Sequence, residues 1–157
     1  MTGFVDESIA RLTSAGLVAA SQLSGCTEQD IAKIEAKYGI QLPAAYRSFL
    51  AAMGRSAGTF FVGTDFLFPD VLTLREQAER LLQECKAKIA LGKTDFVFAV
   101  HQGYQFLFMK SGESDDPAVF LYEECEEDFR LAADRFSDWL LACVEDEIAA
   151  AKAVKPG

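Results

Sequence analysis

The residues able to do chemistry are few and poorly partnered. His101 is the single histidine, so a Ser-His-Asp or Cys-His nucleophile system has one residue to build on, and no local partner flanks it. Cys26, Cys85, Cys125 and Cys143 show no C-x-x-C spacing, which removes the usual zinc signature. They are expected to be reduced thiols, mostly buried, behaving as small hydrophobes. No G-x-G-x-x-G, G-x-x-x-x-G-K-[ST], H-E-x-x-H or G-x-S-x-G is present, so nucleotide, phosphate and hydrolase chemistry lack their signatures. The expectation is a protein that is not an enzyme and needs no cofactor or metal.

Carboxylates are the exception. Glu113, Asp115, Asp116, Glu123, Glu124, Glu126, Glu127 and Asp128 fall in one stretch without a Lys or Arg. The chain has 24 Asp plus Glu against 15 Lys plus Arg, a net charge of −9. Setting these eight aside leaves 16 acids against 15 bases, so one segment carries nearly all the excess charge. It does not match the D-x-[DN]-x-[DN]-G loop that arranges oxygens around Ca²⁺. Two readings remain: a hydrated loop, or a docking face for a basic protein, since a patch of one sign steers an oppositely charged partner. On the second reading Asp115, Asp116, Glu123, Glu124, Glu126, Glu127 and Asp128 supply charge, and Tyr104 and Tyr122, with Phe120 and Phe129, supply aromatic anchors. A competing hypothesis is a pocket for a small molecule or peptide around Asp65, His101 and Gln102, beside Tyr104.

Composition narrows the classes further. The acidic balance argues against a nucleic-acid partner, because phosphate binding relies on Lys and Arg. No apolar run is long enough to span a membrane, and the N-terminus lacks a basic stretch followed by an apolar one, so the expected location is cytoplasmic. At 157 residues, 50% hydrophobic and with 13 Phe, residues 1–157 are expected to fold as one domain around a sizeable core.

The elements that would position these residues follow from local pattern. Val5, Ile9 and Leu12 predict a helix from Val5 to about Leu23, interrupted at Gly16. Thr27 with Asp30 resembles a capping box opening a helix to Tyr38, stopped by Gly39. Pro43 opens another, in which Tyr46, Phe49, Leu50 and Met53 form an apolar stripe ending at Gly54. Thr59–Phe68 reads as strand and turn. Thr73 with Glu76 predicts a capping box and a helix reaching Ile89, closed by Gly92. Phe96–His101 and Tyr104–Met109 alternate on either side of Gln102-Gly103, a β-hairpin signal. Ala118–Glu123 is a third strand, and Ser137 caps a final helix with Trp139, Leu140, Cys143, Val144 and Ile148 inward, followed by a frayed tail from Lys152 to Gly157. The fold class is α+β: N-terminal helices, a mostly antiparallel sheet with covering helices, and a C-terminal helix.

The pattern Ile31-x-x-Ile34-Glu35, then Tyr38-Gly39-Ile40-x-Leu42-Pro43-x-x-Tyr46-x-x-Phe49-Leu50, resembles the SUKH superfamily of Smi/Knr-like yeast cell-wall-synthesis regulators and bacterial immunity proteins. The hairpin, the strand before the acids and Phe136-Ser137-x-Trp139-Leu140 resemble that family's later elements, giving a SUKH-like core over 26–144. Where members carry Asn-Gly-Gly after the F-L helix, this chain has Met53-Gly54-Arg55. The resemblance implies a domain that acts by binding protein: an immunity protein that neutralises a toxin, such as a nuclease with a basic groove, or a regulatory scaffold. It leaves the oligomeric state open.

Overall fold

The computed structural model describes residues 3–154 and shows five α-helices around a five-stranded antiparallel sheet. Helix α1 (Gly3–Ser14) ends sooner than its periodicity predicts, because Gly16 takes a left-handed backbone (φ 73°) and turns the chain away. A short 3-10 turn and β1 (Leu23–Ser24) follow. Helix α2 (Glu28–Tyr38) carries the expected capping box: the Thr27 side chain accepts from Asp30 N–H, and the Asp30 carboxylate accepts from Thr27 N–H. Helix α3 (Ala44–Met53) begins after Pro43. Its following residue, Gly54, is there for space: a Cβ would lie 2.6 Å from both Leu50 O and Cys26 Sγ.

The aromatic run after α3 forms turns and one short strand, as expected, with the strand confined to its polar centre and not on the Phe60-Phe61-Val62 run. The strands here are β2 (Ser56–Ala57), paired with β1, and β3 (Thr64–Asp65), while Phe60 and Phe61 fold back between them. Helix α4 (Leu74–Glu84) lacks the predicted cap, since the Thr73 hydroxyl donates to Asp70 O and accepts nothing from the helix backbone. It also stops before Ile89, with Lys86 at a positive φ (52°) breaking the helix.

The hairpin follows the sequence closely. Strands β4 (Asp95–His101) and β5 (Gln105–Lys110) pair with His101 opposite Gln105, and Gln102 and Gly103 both take the positive φ (49° and 79°) that a tight turn of this hand requires. Strand β6 (Val119–Glu123) adds to β5, and β7 (Arg130–Ala133), which no sequence pattern predicts, adds to β6 as an edge. Helix α5 runs over Phe136–Val154, so Lys152 is helical and not part of a tail; residues 155–157 lie outside the described residues.

Both faces of the sheet are apolar and both are covered, as the strand patterns require. On one face Phe98 meets Phe136 (5.6 Å) and Trp139 (5.0 Å) of α5, and Phe96 meets Tyr46 of α3 (5.3 Å). Each such ring, fully buried, contributes about 1.5–3 kcal/mol of hydrophobic stabilisation. On the other face the register aligns Phe106 with Tyr122 and Phe108 with Phe120, and Phe129 packs edge-on against Phe106, Phe108 and Tyr122. Helix α4 lies along β4, with Arg75 donating to Asp95 O at 2.7 Å.

Candidate partner-binding site

Strand β6 separates the acids that sequence proximity groups together. Asp115 and Asp116 precede it, Glu123 ends it, and residues 124–128 form the turn after it. At roughly 3.3 Å per residue the two clusters stand on the order of 20 Å apart, at opposite ends of the sheet. They do not form one face, which corrects that expectation.

The first cluster belongs to the scaffold. Asp116 Oδ1 accepts from Ser137 N–H (2.9 Å) and Oδ2 from the Ser137 hydroxyl (2.5 Å), capping α5 from a distant strand connection. Ser137, expected to be the cap, is instead the group capped. The Asp115 carbonyl accepts from Ala45 N–H at the start of α3 (2.9 Å), while its side chain is exposed.

The second cluster gathers the other candidates. Glu124 N–H donates to Tyr104 O (2.8 Å), placing the β6–β7 turn beside the β4–β5 turn. Tyr104 is 40% exposed and packs edge-on against His101 (5.5 Å). His101 Nδ1 lies 2.8 Å from Thr64 Oγ1, which brings β3 and the exposed Asp65 to the same end, along with exposed Gln102. Arg130 pairs with Glu123 (3.1 Å) and Glu126 (3.2 Å). Glu124, Glu127 and Asp128 form no ion pair among the described residues. Within residues 123–130, five carboxylates therefore stand against one guanidinium.

Three expected anchors are wholly or partly withdrawn by burial. Tyr122 is fully buried, stacked on Phe106 at 5.3 Å, because β5 pairing turns it inward. Phe120 and Phe129 are half-buried in the same aromatic layer. Asp65, His101 and Gln102 share an edge more than they share a cavity. The groove reaching this end, about 650 Å³, is walled by Lys37, Glu76, Arg80 and Glu84 and touches the turn only at Gly103.

Two of the four cysteines differ from expectation, while Cys26 and Cys143 are free thiols as expected. Cys85, just past α4, and Cys125, in the middle of the acidic turn, form a disulfide with Cα atoms 4.9 Å apart. Cysteines 40 residues apart in sequence give no local sign of this. Cys26 is buried and its thiol is pushed up to about 11, by desolvation first and then by Asp30. Burial likewise raises the Cys143 thiol.

A missed polar pair lies under the family-like helices. Arg55 reaches back to Asp30 through two hydrogen bonds (2.7 and 2.8 Å), and this guanidinium, then the Thr27 N–H, holds the Asp30 carboxyl well below its ordinary range. The Arg55 side chain also lies over the Phe68 ring at 4.9 Å. Asp30 in the capping box was the available signal, since a carboxylate buried there needs a cationic partner. Among the described residues no helix is long and apolar enough to cross a membrane.

The α2–Pro43–α3 unit, the hairpin and the closing aromatic helix thus occur together around the five-stranded sheet. No curated protein matches the chain. The model of the SMI1 / KNR4 family (SUKH-1) matches residues 25–142, most of the sequence, and the chain belongs to that family.

Proposed function

We propose that this domain acts by binding a basic protein, without catalysing a reaction, and that it is an immunity protein neutralising a toxin. The observation that supports this most is the acidic turn at the end of the sheet: Glu123, Glu124, Glu126, Glu127 and Asp128 around a half-open Tyr104, with Arg130 the one base in the turn. Such a patch steers a basic surface and raises its on-rate, while the neighbouring ring provides apolar area that charge alone lacks. A nuclease toxin, whose substrate groove must be basic to hold phosphates, is the partner class that fits this charge. Asp115 and Asp116, at the far end of β6, are not part of the contact.

The test expresses a toxin domain recovered with the protein by pull-down in cells carrying either the wild type or Glu124→Lys/Glu127→Lys/Asp128→Lys. Wild type restores growth and the triple variant does not, while its fold, read by circular dichroism, is unchanged. Equal protection by both proteins would remove the acidic turn from the function.

A further inference from the structure

The Cys85–Cys125 bond joins the end of α4 to the middle of the acidic turn. Cys125 is exposed and Cys85 half-buried, so the bond lies at the rim of the fold. Cys85 packs against the core from outside, and the aromatic layers around Phe98, Phe136, Phe106 and Tyr122 contain neither cysteine. Exposed disulfides of this kind exchange more readily than buried structural ones.

The turn itself has little else to hold it. Its backbone ties are Glu124 N–H to Tyr104 O and Glu126 N–H to Glu123 O (3.1 Å), with Arg130 bridging Glu123 and Glu126 from the exposed side. Cys125 (φ 61°) and Lys86 (φ 52°), one at the bond and one beside it, both occupy the left-handed region that residues with a Cβ rarely adopt. Lys86 is held there by the cap that closes α4, its N–H donating to Gln83 O (3.0 Å) and the Ala87 N–H to Leu82 O (2.9 Å), so of the two segments it is the acidic turn, closed by a single Glu126–Glu123 backbone bond, that the covalent tie chiefly restrains.

We propose that Cys85–Cys125 is a thiol–disulfide exchange site that sets the conformation of the acidic turn, and that its reductant is an uncharged or cationic dithiol. A thiolate of the dithiol attacks the exposed Cys125 Sγ, forming a mixed disulfide and releasing Cys85 as a thiolate that takes a proton from water. The second thiol then attacks the reductant's own sulfur in the mixed disulfide, releasing Cys125 and closing the reductant as a disulfide. Two electrons pass from dithiol to protein, and a disulfide-bearing oxidant reverses the step. Around the bond Glu123, Glu124, Glu126 and Glu127 outnumber Arg130 and Lys86, so the net negative charge repels an anionic thiol, which sets the charge preference. A change in partner affinity on reduction rests on the binding role proposed above; the exchange and the release of the turn do not.

The experiment uses the full chain without a partner. After equilibration with glutathione disulfide, peptide mapping yields one cross-linked product containing Cys85 and Cys125. Reduction with dithiothreitol accelerates amide hydrogen exchange over residues 124–129 by about tenfold or more and leaves β4 and β5 unchanged, as local opening requires. The Cys85→Ser/Cys125→Ser variant exchanges like the reduced wild type. Glutathione, which is anionic, reduces the bond more slowly than dithiothreitol, and the gap narrows as salt rises from about 0.01 to 1 M, where the Debye length shrinks from about 30 to 3 Å. Free labelling of both cysteines in the oxidised sample overturns the proposal. So does unaltered exchange on reduction, or acceleration spread through the whole sheet, which would mark a staple of the fold. Because none of these readouts involves a partner, their failure is distinct from failure of the acidic turn to bind one.

Discussion

At the start of β6, Asp116 gives both carboxylate oxygens to Ser137 and caps α5, and the Asp115 carbonyl secures the first turn of α3. At its end, Glu124, Glu127 and Asp128 pair with nothing among the described residues, and the turn that carries them is tied down by a covalent bond. The residue types are the same. What differs is whether a backbone donor lies within reach: α5 begins beside Asp116, whereas the β6–β7 turn faces outward. A carboxylate with a fixed donor is part of the scaffold, and one without is available to a partner.

The largest effect should come from reversing the free cluster. Glu124→Lys/Glu127→Lys/Asp128→Lys is expected to slow association with a basic partner by about 100-fold at low salt, since steering contributes that much between charged surfaces. Thermal or urea unfolding should shift by less than about 0.5 kcal/mol, as for other exposed substitutions. Stopped-flow binding and urea titration on the same sample separate the two. A large loss of stability would mean that these acids are structural after all.

Asp116→Ala inverts the pattern. Loss of the α5 cap should cost about 1 kcal/mol of stability, within the usual range for capping side chains, and leave the association rate unchanged. Urea unfolding reads the first and binding kinetics the second; an unfolding midpoint equal to wild type would mean that α5 does not need this cap.

How far these roles can be read from sequence depends on the range of the interaction. The α2–α3 unit is legible because its signals are local: Thr27 and Asp30 three residues apart, Gly39 at the stop, Pro43 at the next start. The hairpin is legible through its alternation and Gln102-Gly103. Strand β7 is not, because Arg130-Leu131-Ala132-Ala133 is a short, exposed edge with Leu131 57% open and little apolar contrast to reveal it. The charge count marks Glu113–Asp128 as unusual, but it runs straight through β6. The strand from Ala118 to Glu123 is itself visible in the sequence, and its length already implies that acids before and after it stand apart. The disulfide and the Asp30–Arg55 pair are nonlocal, so no spacing rule reaches them.

Asp30 extends the comparison to a third carboxylate. Its folded-state pKa lies below the ordinary 3.8 because Arg55 and the Thr27 N–H favour the ionised form. Its contribution to stability is therefore present above pH 3.8 and is lost as pH falls below that value through the lower folded-state one. Asp30→Asn should be less stable than wild type at neutral pH and approach it on acidification, read as converging urea midpoints. Parallel curves would mean that the Arg55 pair does not contribute to folding.

The smallest change in folding is expected from Tyr122→Phe, and it gives the finest division within the acidic end. Tyr122 and Tyr104 both adjoin the turn, yet one is sealed in the aromatic layer and the other is open. The Tyr122 hydroxyl is buried with no protein hydrogen-bond partner among the described residues. Removing it deletes an unpaired polar group while keeping the ring, so stability should hold or rise by up to about 1 kcal/mol. Binding should be unaffected, because no partner can touch the ring. Tyr104→Ala should do the reverse, leaving the fold intact and speeding dissociation of the partner, the signature of an aromatic anchor at an interface. If Tyr122→Phe weakens binding as much as Tyr104→Ala, the aromatic layer and the acidic turn act as one unit, and the distinction between scaffold and contact fails at this end of the sheet.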